Sequence, residues 1–289
     1  MPLRLPEVAL PTARAVLRTL GPLVRDHRLW AAGEPVGLAV SGGKDSLGLL
    51  ALVLAGRHFG LPVPEVTVLH LPPVPGCPCG PAAARVAPVA AGFGLPPERV
   101  VLGPACELAV RDGDGEARCS VCARLRRRWL LETCRDRRLP VLMLAHHQDD
   151  LAQTLLLNLL FHGDADAIMV PSRVYLAGRL RLVRPLLTTP ERRVIAFTRK
   201  PGLPPLPAST LPVDGQRTRV RAFLHGLGSV RELAKANLAR LARRAWVAPG
   251  SRGAPAALVV APPAAAAGIG IGAGTLDGEP ARRYSSRHG

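Results

Sequence analysis

Short apolar runs alternate with longer segments of helical periodicity along the first 200 residues of this 289-residue chain. Five apolar runs have the length and the flanking turn residues of buried strands: 36–40, 65–71, 99–102, 139–145 and 180–187. Helical patterns lie at 46–59, 82–93, 123–137, 151–161 and 188–199. Strands that alternate with helices build a parallel sheet with right-handed crossovers. The pattern therefore predicts an α/β fold, with a twisted parallel five-stranded sheet and helices on both of its faces.

The same pattern divides the chain into four regions. Residues 1–33 form an amphipathic N-terminal helix, and 34–200 form the α/β domain, whose last helix has a predicted capping box of Thr188 and Glu191. Residues 201–248 combine a proline-rich linker with one strongly basic helix from 216 to 243. Residues 249–289 are rich in Ala, Pro and Gly and offer little to bury, so we expect a disordered tail.

The composition indicates a polyanionic partner. Lys and Arg number 38 against 21 Asp and Glu, which gives a net charge of +17 and a pI near 11.3. Such an excess suits RNA or DNA, although an Arg-rich and Ala-rich composition can also arise without that selection. The long uncharged stretch at 253–276 is interrupted by Pro and Gly, and the N-terminus shows no signal-peptide pattern, so we expect a cytoplasmic protein that does not enter a membrane. Its six cysteines favour metal or sulfur chemistry in a reducing compartment over a disulfide framework.

The first motif with chemical content is the sequence SGGKDS at residues 41–46, which we call the glycine loop. Gly42 and Gly43 allow a tight turn and a close approach of the backbone to a ligand, and the N–H groups that open the next helix attract anions. Ser41 and Ser46 add hydroxyl donors, and Lys44 adds a positive charge. The spacing differs from the Walker and dinucleotide-binding loops. The pattern predicts a phosphate site; the alternative is a simple glycine turn between a strand and a helix.

Two further motifs carry reactive side chains. Cys119 and Cys122 form a C-x-x-C pair that directly precedes the predicted helix from residue 123, where a helix N-terminus and Arg124 would favour their thiolate forms. The sequence HHQDD at residues 146–150 ends the fourth predicted strand. A carboxylate of Asp149 or Asp150 there would bind magnesium or accept a proton, or would cap the next helix, and the two roles are compatible. The histidines are weaker candidates.

Together, four segments resemble the tRNA thiolases of the PP-loop class, the N-type ATP pyrophosphatases: SGGKDS at 41–46, CSVCARLRRR at 119–128, AHHQDDLAQTLLLNLL at 145–160 and VRPL at 183–186. The order and spacing are closest to the family that makes 2-thiocytidine in tRNA, over residues 10–235. The resemblance implies an adenine nucleotide alpha hydrolase-like fold with ATP across the carboxyl ends of the parallel strands. The phosphates would lie on residues 41–46 with magnesium on Asp45, and the adenosine near Ala39, His70 and His146.

The resemblance also implies a reaction. The C2 oxygen of a pyrimidine, expected to be a cytidine, would attack the α-phosphorus of ATP and release pyrophosphate, and sulfur would then displace AMP. The implied catalytic residues are Cys119, Cys122, Asp45, Asp149 and Asp150. The partners would be tRNA and a sulfur donor, either a desulfurase or sulfide, and whether the chain forms a homodimer stays open. The arginines that the resemblance directs toward RNA are Arg124, Arg127, Arg128, Arg217 and Arg221.

One expected residue is missing. In the resembling family a third cysteine joins the C-x-x-C pair as a ligand of a [4Fe–4S] cluster, whereas here residues 207–212 read PASTLP and no cysteine follows Cys134. Cys134 lies 12 positions after Cys122 on the same predicted helix, about 18 Å away, which excludes it from a shared cluster and indicates a core thiol. Cys77, Cys79 and Cys106 remain as substitute ligands.

Three interpretations of the cysteines follow: a cluster with a substitute ligand, a persulfide on Cys119 or Cys122 with the other as resolving partner, and loss of sulfur transfer. Two other functions stay open. A tRNA lysidine synthetase shares the glycine loop and an HHxDD-like motif, but its chemistry needs no C-x-x-C pair. A nucleotide-dependent RNA-binding protein without catalysis would bind ATP and release no pyrophosphate.

Overall fold

A computed structural model describes residues 4–72, 84–104, 115–164, 168–201, 203, 215–244 and 246, with the backbone alone for 115–121. Its strands are β1 (Pro35–Ala39), β2 (Glu65–His70), β3 (Val100–Leu102), β4 (Val141–Met143), β5 (Ser172–Tyr175) and β6 (Leu180–Val183). Its α-helices are α1 (Leu10–Asp26), α2 (Lys44–Leu54), α3 (Val86–Gly92), α4 (Gly115–Asp136), α5 (Gln148–Phe161), α6 (Glu191–Thr198), α7 (Gln216–Gly226) and α8 (Arg231–Arg244).

The strands form one sheet in the order β3-β2-β1-β4-β6-β5, and all neighbouring pairs except the last are parallel. The prediction of an α/β fold with a parallel sheet is thereby confirmed. The sheet has six strands where the sequence predicted five, because β5 pairs antiparallel with β6 through a hairpin that joins Tyr175 to Leu180. None of the four residues of β5 is fully buried, so this edge strand lacks the apolar run by which a buried strand is found.

The core lies between the sheet and the helices that cover it. Helix α1 contributes Val16, Leu20 and Val24 to the same buried cluster as β1 and α2, so the N-terminal segment packs against the α/β layer. On the face of the sheet that α4 covers, the packing is tight at Gly37 of β1. A Cβ there would lie 2.8 Å from Leu69 Cδ1 and 3.2 Å from Cys134 Sγ. The strand can therefore approach α4 only because this position has no side chain.

Three predicted helix boundaries are wrong. Helix α4 begins at Gly115, so Cys119 and Cys122 lie within the helix and not at its N-terminus. The basic segment after residue 215 forms two helices, because the chain turns between them at Gly228, whose φ of +56° suits glycine. Helix α6 begins at Glu191 without the predicted capping box, since Thr188 Oγ1 donates to the carbonyl of Thr19 and is turned away from the helix.

Several predictions fall outside the described residues. These are the substitute ligands Cys77, Cys79 and Cys106, the segment 207–212 and the disordered tail at 249–289. The division of the chain into four regions stays a prediction. None of the described helices combines the length and the apolar character that crossing a membrane requires.

Candidate active site

The glycine loop connects the carboxyl end of β1 to the first turn of α2 and is held by its own serines. The hydroxyl of Ser46 donates to the carbonyl of Gly43 (3.0 Å) and accepts from the N–H of Ser41 (3.2 Å). Gly42 has a φ of +87°, which a residue with a side chain adopts only under strain, and Gly43 is the N-cap residue of α2. The loop thus turns toward the crevice between β1 and β4, where the strand order reverses and open α/β sheets bind their ligands.

The ammonium group of Lys44 lies between two carboxylates. Its Nζ donates to both oxygens of Asp45 (2.9 and 2.8 Å) and to Oε1 of Glu191 (2.8 Å), which follows β6 at the start of α6. Burial opposes the charge, yet the two carboxylates raise the pKa of Lys44. Burial likewise opposes the charge of Glu191, but the hydrogen bond from Lys44 lowers the pKa of that carboxyl. Lys44 and Glu191 are therefore ionised, and the ammonium of Lys44 is held by carboxylate contacts.

His147 faces the same two carboxylates from the end of β4. Its side chain is 3% exposed, and its Nε2 lies 3.8 Å from Asp45 Oδ2 and 3.9 Å from Glu191 Oε1. One ligand atom from each of these three residues lies within 4.8 Å of the other two. Two carboxylates and an imidazole are ligands that divalent cations accept, so Asp45, His147 and Glu191 could hold a metal ion.

Asp149 and Asp150 are adjacent in sequence but have different surroundings. Asp149 is almost fully buried, accepts the N–H of Glu191 on Oδ1 (2.9 Å) and pairs through Oδ2 with Lys235 of α8 (2.7 Å). Asp149 therefore binds the N-terminus of α6 and anchors the C-terminal helices. Asp150 accepts the N–H of His147 (3.0 Å), which is the helix-capping role that the sequence left open.

Asp150 also lies at the crevice beside His146. Burial alone would raise the pKa of Asp150, but the neighbouring histidines and the capping bond lower it. Burial lowers the pKa of His146 to about 4, so its ring is neutral at physiological pH. Its Nδ1 is shielded from solvent and has no hydrogen-bond partner within the described part of the chain.

Arg184, for which the sequence pattern predicted no role, belongs to the VRPL segment and lies next to His146. Its guanidinium donates to the carbonyl of Val170 (2.9 Å), while its Nε is shielded and has no hydrogen-bond partner among residues the structure describes. Burial lowers the pKa of Arg184 to about 10, and the nearby Arg173 and Arg127 add to this effect. The crevice wall thus carries concentrated positive charge next to His146.

The predicted adenosine residues lie at the ends of β1 and β2. His70 is buried and its Nδ1 contacts the carbonyl of Val40 (2.6 Å), a bond that requires the proton on Nδ1 and fixes the ring. Burial lowers the pKa of His70, which keeps the ring neutral. Ala39 ends β1 next to this pair and is partly exposed.

The two cysteines of α4 whose side chains are described have contrasting environments. Cys122 is 8% exposed, and Arg126, one turn later, donates to its Sγ at 3.6 Å. Cys134 is fully buried among apolar side chains, and burial raises the pKa of its thiol to about 12. The interpretation of Cys134 as a core thiol is confirmed. Arg126 has the thiol contact that the sequence analysis expected of Arg124.

The predicted RNA-binding arginines are on the surface. Arg124, Arg127 and Arg128 are exposed on α4, and Arg128 also pairs with Glu132 at 2.8 Å. Arg217 on α7 is about half exposed and reaches Thr154 Oγ1 (3.3 Å) and Asp150 Oδ1 (3.9 Å) of α5. Arg221 is partly exposed on the same helix.

Comparisons with known proteins place these features in a family context. A family model described as a PP-loop domain matches residues 105–206, a range that includes the HHQDD segment. The tRNA-cytidine(32) 2-sulfurtransferase of Anaeromyxobacter sp. (strain K) is 31% identical over 228 residues, which cover 78% of this chain and 77% of that protein. The enzyme of the same name from Alkalilimnicola ehrlichii is 30% identical over 223 residues, 75% of this chain and 69% of that protein.

A solved structure shares the fold. The U34-tRNA thiolase NcsA from Methanococcus maripaludis, solved with its [4Fe–4S] cluster, superposes with a TM-score of 0.61 at 20% identity. The match covers 81% of this chain and 78% of that one. The resemblance predicted from the four motifs is thereby confirmed at the level of fold and sequence.

Proposed function

The chain belongs to the tRNA-cytidine(32) 2-sulfurtransferase family, and from this premise we propose that it uses ATP to replace the C2 oxygen of a tRNA cytidine with sulfur. The target that the relatives' name specifies is cytidine 32. The observation that carries the proposal is the meeting of the glycine loop, the HHQDD segment and Glu191 at the carboxyl ends of β1, β4 and β6. This arrangement supports the proposal because it joins a phosphate-binding type of loop to charged side chains at the crevice where open α/β sheets bind their ligands.

Activation of the base is the first step. A pyrimidine C2 carbonyl is a poor electrophile, and its oxygen leaves readily only as a phosphate ester. The loop N–H groups and the serine hydroxyls would hold the triphosphate, which places the α-phosphorus for attack by the C2 oxygen. Pyrophosphate leaves, and an adenylated base remains. A magnesium ion held by Asp45 would neutralise phosphate charge during this step.

Sulfur delivery is the second step, and we assign it to the C-x-x-C pair of Cys119 and Cys122 on α4. A persulfide needs only this pair, whereas a [4Fe–4S] cluster would also need Cys77, Cys79 or Cys106 as a ligand, because Cys134 packs in the core. The terminal sulfur of a cysteine persulfide attacks C2 and displaces AMP, which links the base to the cysteine through a disulfide. The thiolate of the second cysteine attacks the sulfur atom of the first cysteine in this disulfide. The thiolated base leaves, and a disulfide between the two cysteines forms. A cellular dithiol must then reduce the Cys119–Cys122 disulfide.

The positive surfaces of α4 and α7 would hold the tRNA. Backbone phosphates are recognised mainly by Arg and Lys, and both surfaces border the crevice. Of the two donors considered, the persulfide step requires a desulfurase, which transfers sulfur already at the persulfide oxidation level, since sulfide would need an oxidant. The tRNA substrate favours a cytoplasmic location. The relatives do not favour the lysidine synthetase alternative.

The test combines unmodified tRNA, ATP, a cysteine desulfurase with cysteine as the persulfide source, and a dithiol, and it measures both pyrophosphate release and 2-thiocytidine by mass spectrometry. We expect Asp45→Asn to lose pyrophosphate release. Cys122→Ser should release pyrophosphate but form no 2-thiocytidine, because activation precedes sulfur transfer. Cys134→Ala is the matched control on the same helix and should retain both. Thiolation by Cys122→Ser at the wild-type rate would contradict the assignment of sulfur delivery to this cysteine.

A further inference from the structure

Helices α5, α7 and α8 surround an apolar groove that is open to the surface. Its volume is about 360 Å³, and its described lining residues are apolar except for Asn237. Two of the apolar side chains are largely exposed, Phe223 at 57% and Leu241 at 50%. A contiguous exposed apolar surface is typical of a binding site. The apolar lining residues include Leu156 of α5, Phe223 and Leu227 of α7, and Leu238 and Leu241 of α8.

We propose that this groove is a docking site for an acidic amphipathic helix of a partner protein. The helix would insert apolar side chains between α7 and α8 and place its carboxylates against arginines on the rim. Leu156 lies six residues after Asp150, about 9 Å further along the axis of α5. A partner in the groove would therefore lie beside the crevice without filling it, and its binding does not depend on the thiolation proposed above.

The spacing of the lining residues suits a helical occupant. On α8, Ala234, Leu238 and Leu241 follow one another at intervals of four and three residues, which places them on one face over about two turns. On α7, Phe223 and Leu227 are four residues apart and line the opposite wall. Two helical walls with this periodicity accept the side chains that a third helix presents one turn apart.

The rim of the groove carries positive charge. Arg219 lies one turn before Phe223 on α7, Arg240 directly precedes Leu241 on α8, and both arginines are exposed. Helix α7 contains no Asp or Glu, and Glu232, the single acidic residue of α8, is already engaged in ion pairs with basic side chains of its own helix. The rim thus offers guanidinium groups to the carboxylates of a partner.

The combination of apolar groove and basic rim disfavours two other occupants. A second copy of this chain would bring the same arginines face to face, because a two-fold contact uses one surface on both partners. RNA would satisfy the arginines but would leave the leucines without apolar contacts. Bases stack on aromatic rings, and Phe223 is the one aromatic side chain among the described lining residues. A partner with both apolar side chains and carboxylates matches both features.

The experiment measures binding of a fluorescein-labelled synthetic peptide to the full chain by fluorescence anisotropy. The peptide is a helix of about 18 residues in which Leu recurs every three or four positions and Glu fills the opposite face. A second peptide has the same composition in an order that destroys the Leu spacing, and a third has Lys in place of Glu. We expect the first peptide to bind at one site per chain and the other two to bind at least tenfold more weakly.

Variants of exposed residues test the groove and the rim separately. Leu241→Ser and Phe223→Ser should each weaken binding of the acidic peptide at least fivefold, because each removes an apolar contact. Leu233→Ser is the matched control and should bind as wild type, since Leu233 is 61% exposed on α8 but does not line the groove. Arg219→Gln/Arg240→Gln should weaken binding and make it less sensitive to salt.

Three results would overturn the proposal. The first is that the acidic peptide fails to bind, or binds Leu241→Ser as tightly as wild type. The second is a dimer in sedimentation velocity that Leu241→Ser dissociates and Leu233→Ser does not, which would make a second copy the occupant. The third is a loss of tRNA affinity in Phe223→Ser and Leu241→Ser but not in Leu233→Ser, which would assign the groove to RNA. The peptide titration contains no ATP, tRNA or sulfur donor, so its result is separate from that of the thiolation assay.

Discussion

Arg126 and Cys122 lie one turn apart on α4, and their contact places a positive charge beside the thiol of Cys122. Cys134 lies in an apolar cluster. The guanidinium reaches Cys122 Sγ at 3.6 Å, and a nearby positive charge stabilises a thiolate. Arg126 also acts electrostatically on His70 at the end of β2 and so connects the cysteine helix to the crevice. Cys134, in contrast, is surrounded by apolar side chains, which disfavour its charged form. These environments support our proposal of Cys122 for sulfur transfer, and they identify Cys134 as a core thiol.

Replacement of Arg126 by methionine should slow alkylation of Cys122 several-fold at pH 8, because a thiolate there would lose the positive charge of the guanidinium in contact with it. Cys134 should stay unmodified in both proteins, since its pKa of about 12 leaves it protonated. Iodoacetamide labelling followed by peptide mass spectrometry measures each site separately. Arg124→Met is the control on the same helix. An equal effect of the two arginine variants would show that the general charge of α4 acts, and not the Arg126 contact.

Helices α2 and α6 hold the glycine loop and Glu191 on opposite sides of Lys44, so their packing sets the geometry of the site. The closest approach is at Gly48, where a Cβ would lie 2.7 Å from Thr198 Cγ2 and 3.6 Å from Val194 Cγ1. Thr198 and Val194 are branched at Cβ and change rotamer with difficulty. A side chain at position 48 would therefore push the two helices apart.

Gly48→Ala should lower the free energy of unfolding by about 1–3 kcal/mol, the usual range for overpacking. Gly92→Ala in α3 is the control, because a Cβ there meets nothing within 4 Å and the change should leave stability equal or slightly higher. Urea denaturation measures both variants. A Gly48→Ala protein as stable as wild type would mean that α6 can shift without cost.

The whole molecule carries a net charge of +17, and exposed or partly exposed arginines lie at both edges of the sheet. Arg217 and Arg221 lie on α7, which packs against α5 beside the crevice. Arg57 and Arg137 follow the ends of α2 and α4, which run back to the amino ends of the strands. A tRNA placed over the crevice would contact the first pair and not the second.

The double variant Arg217→Gln/Arg221→Gln should weaken tRNA binding and reduce the salt dependence of the binding constant. Each lost phosphate contact lowers the slope of log K against log salt by about 0.7–0.9. Arg57→Gln/Arg137→Gln removes the same charge at the opposite edge and should keep the wild-type slope. Filter binding at several salt concentrations measures both. Equal slopes for the two variants would indicate that tRNA binding uses the overall charge.

The sequence by itself determined the α/β class, the parallel sheet and the position of the glycine loop, since these follow from local periodicity and turn chemistry. It also placed HHQDD at a strand end, because residues 139–145 form a short apolar run. A local pattern reports only on residues that are close in sequence, however, and not on the partners that a segment meets in the fold. The edge strand β5 was missed because its stability comes from hydrogen bonds to β6 and not from an apolar run of its own.

Only the tertiary structure decided which side chains meet. Glu191 was predicted to cap its own helix, but the fold brings it to Lys44, 147 positions earlier, while Asp149 accepts the backbone N–H of Glu191 instead. The same fold turned two adjacent aspartates toward different partners, Asp149 toward Lys235 and Asp150 toward His147. Such pairings depend on which strands become neighbours and on the direction each helix takes afterwards. They are set by the packing of the whole core, so a local sequence pattern cannot predict them.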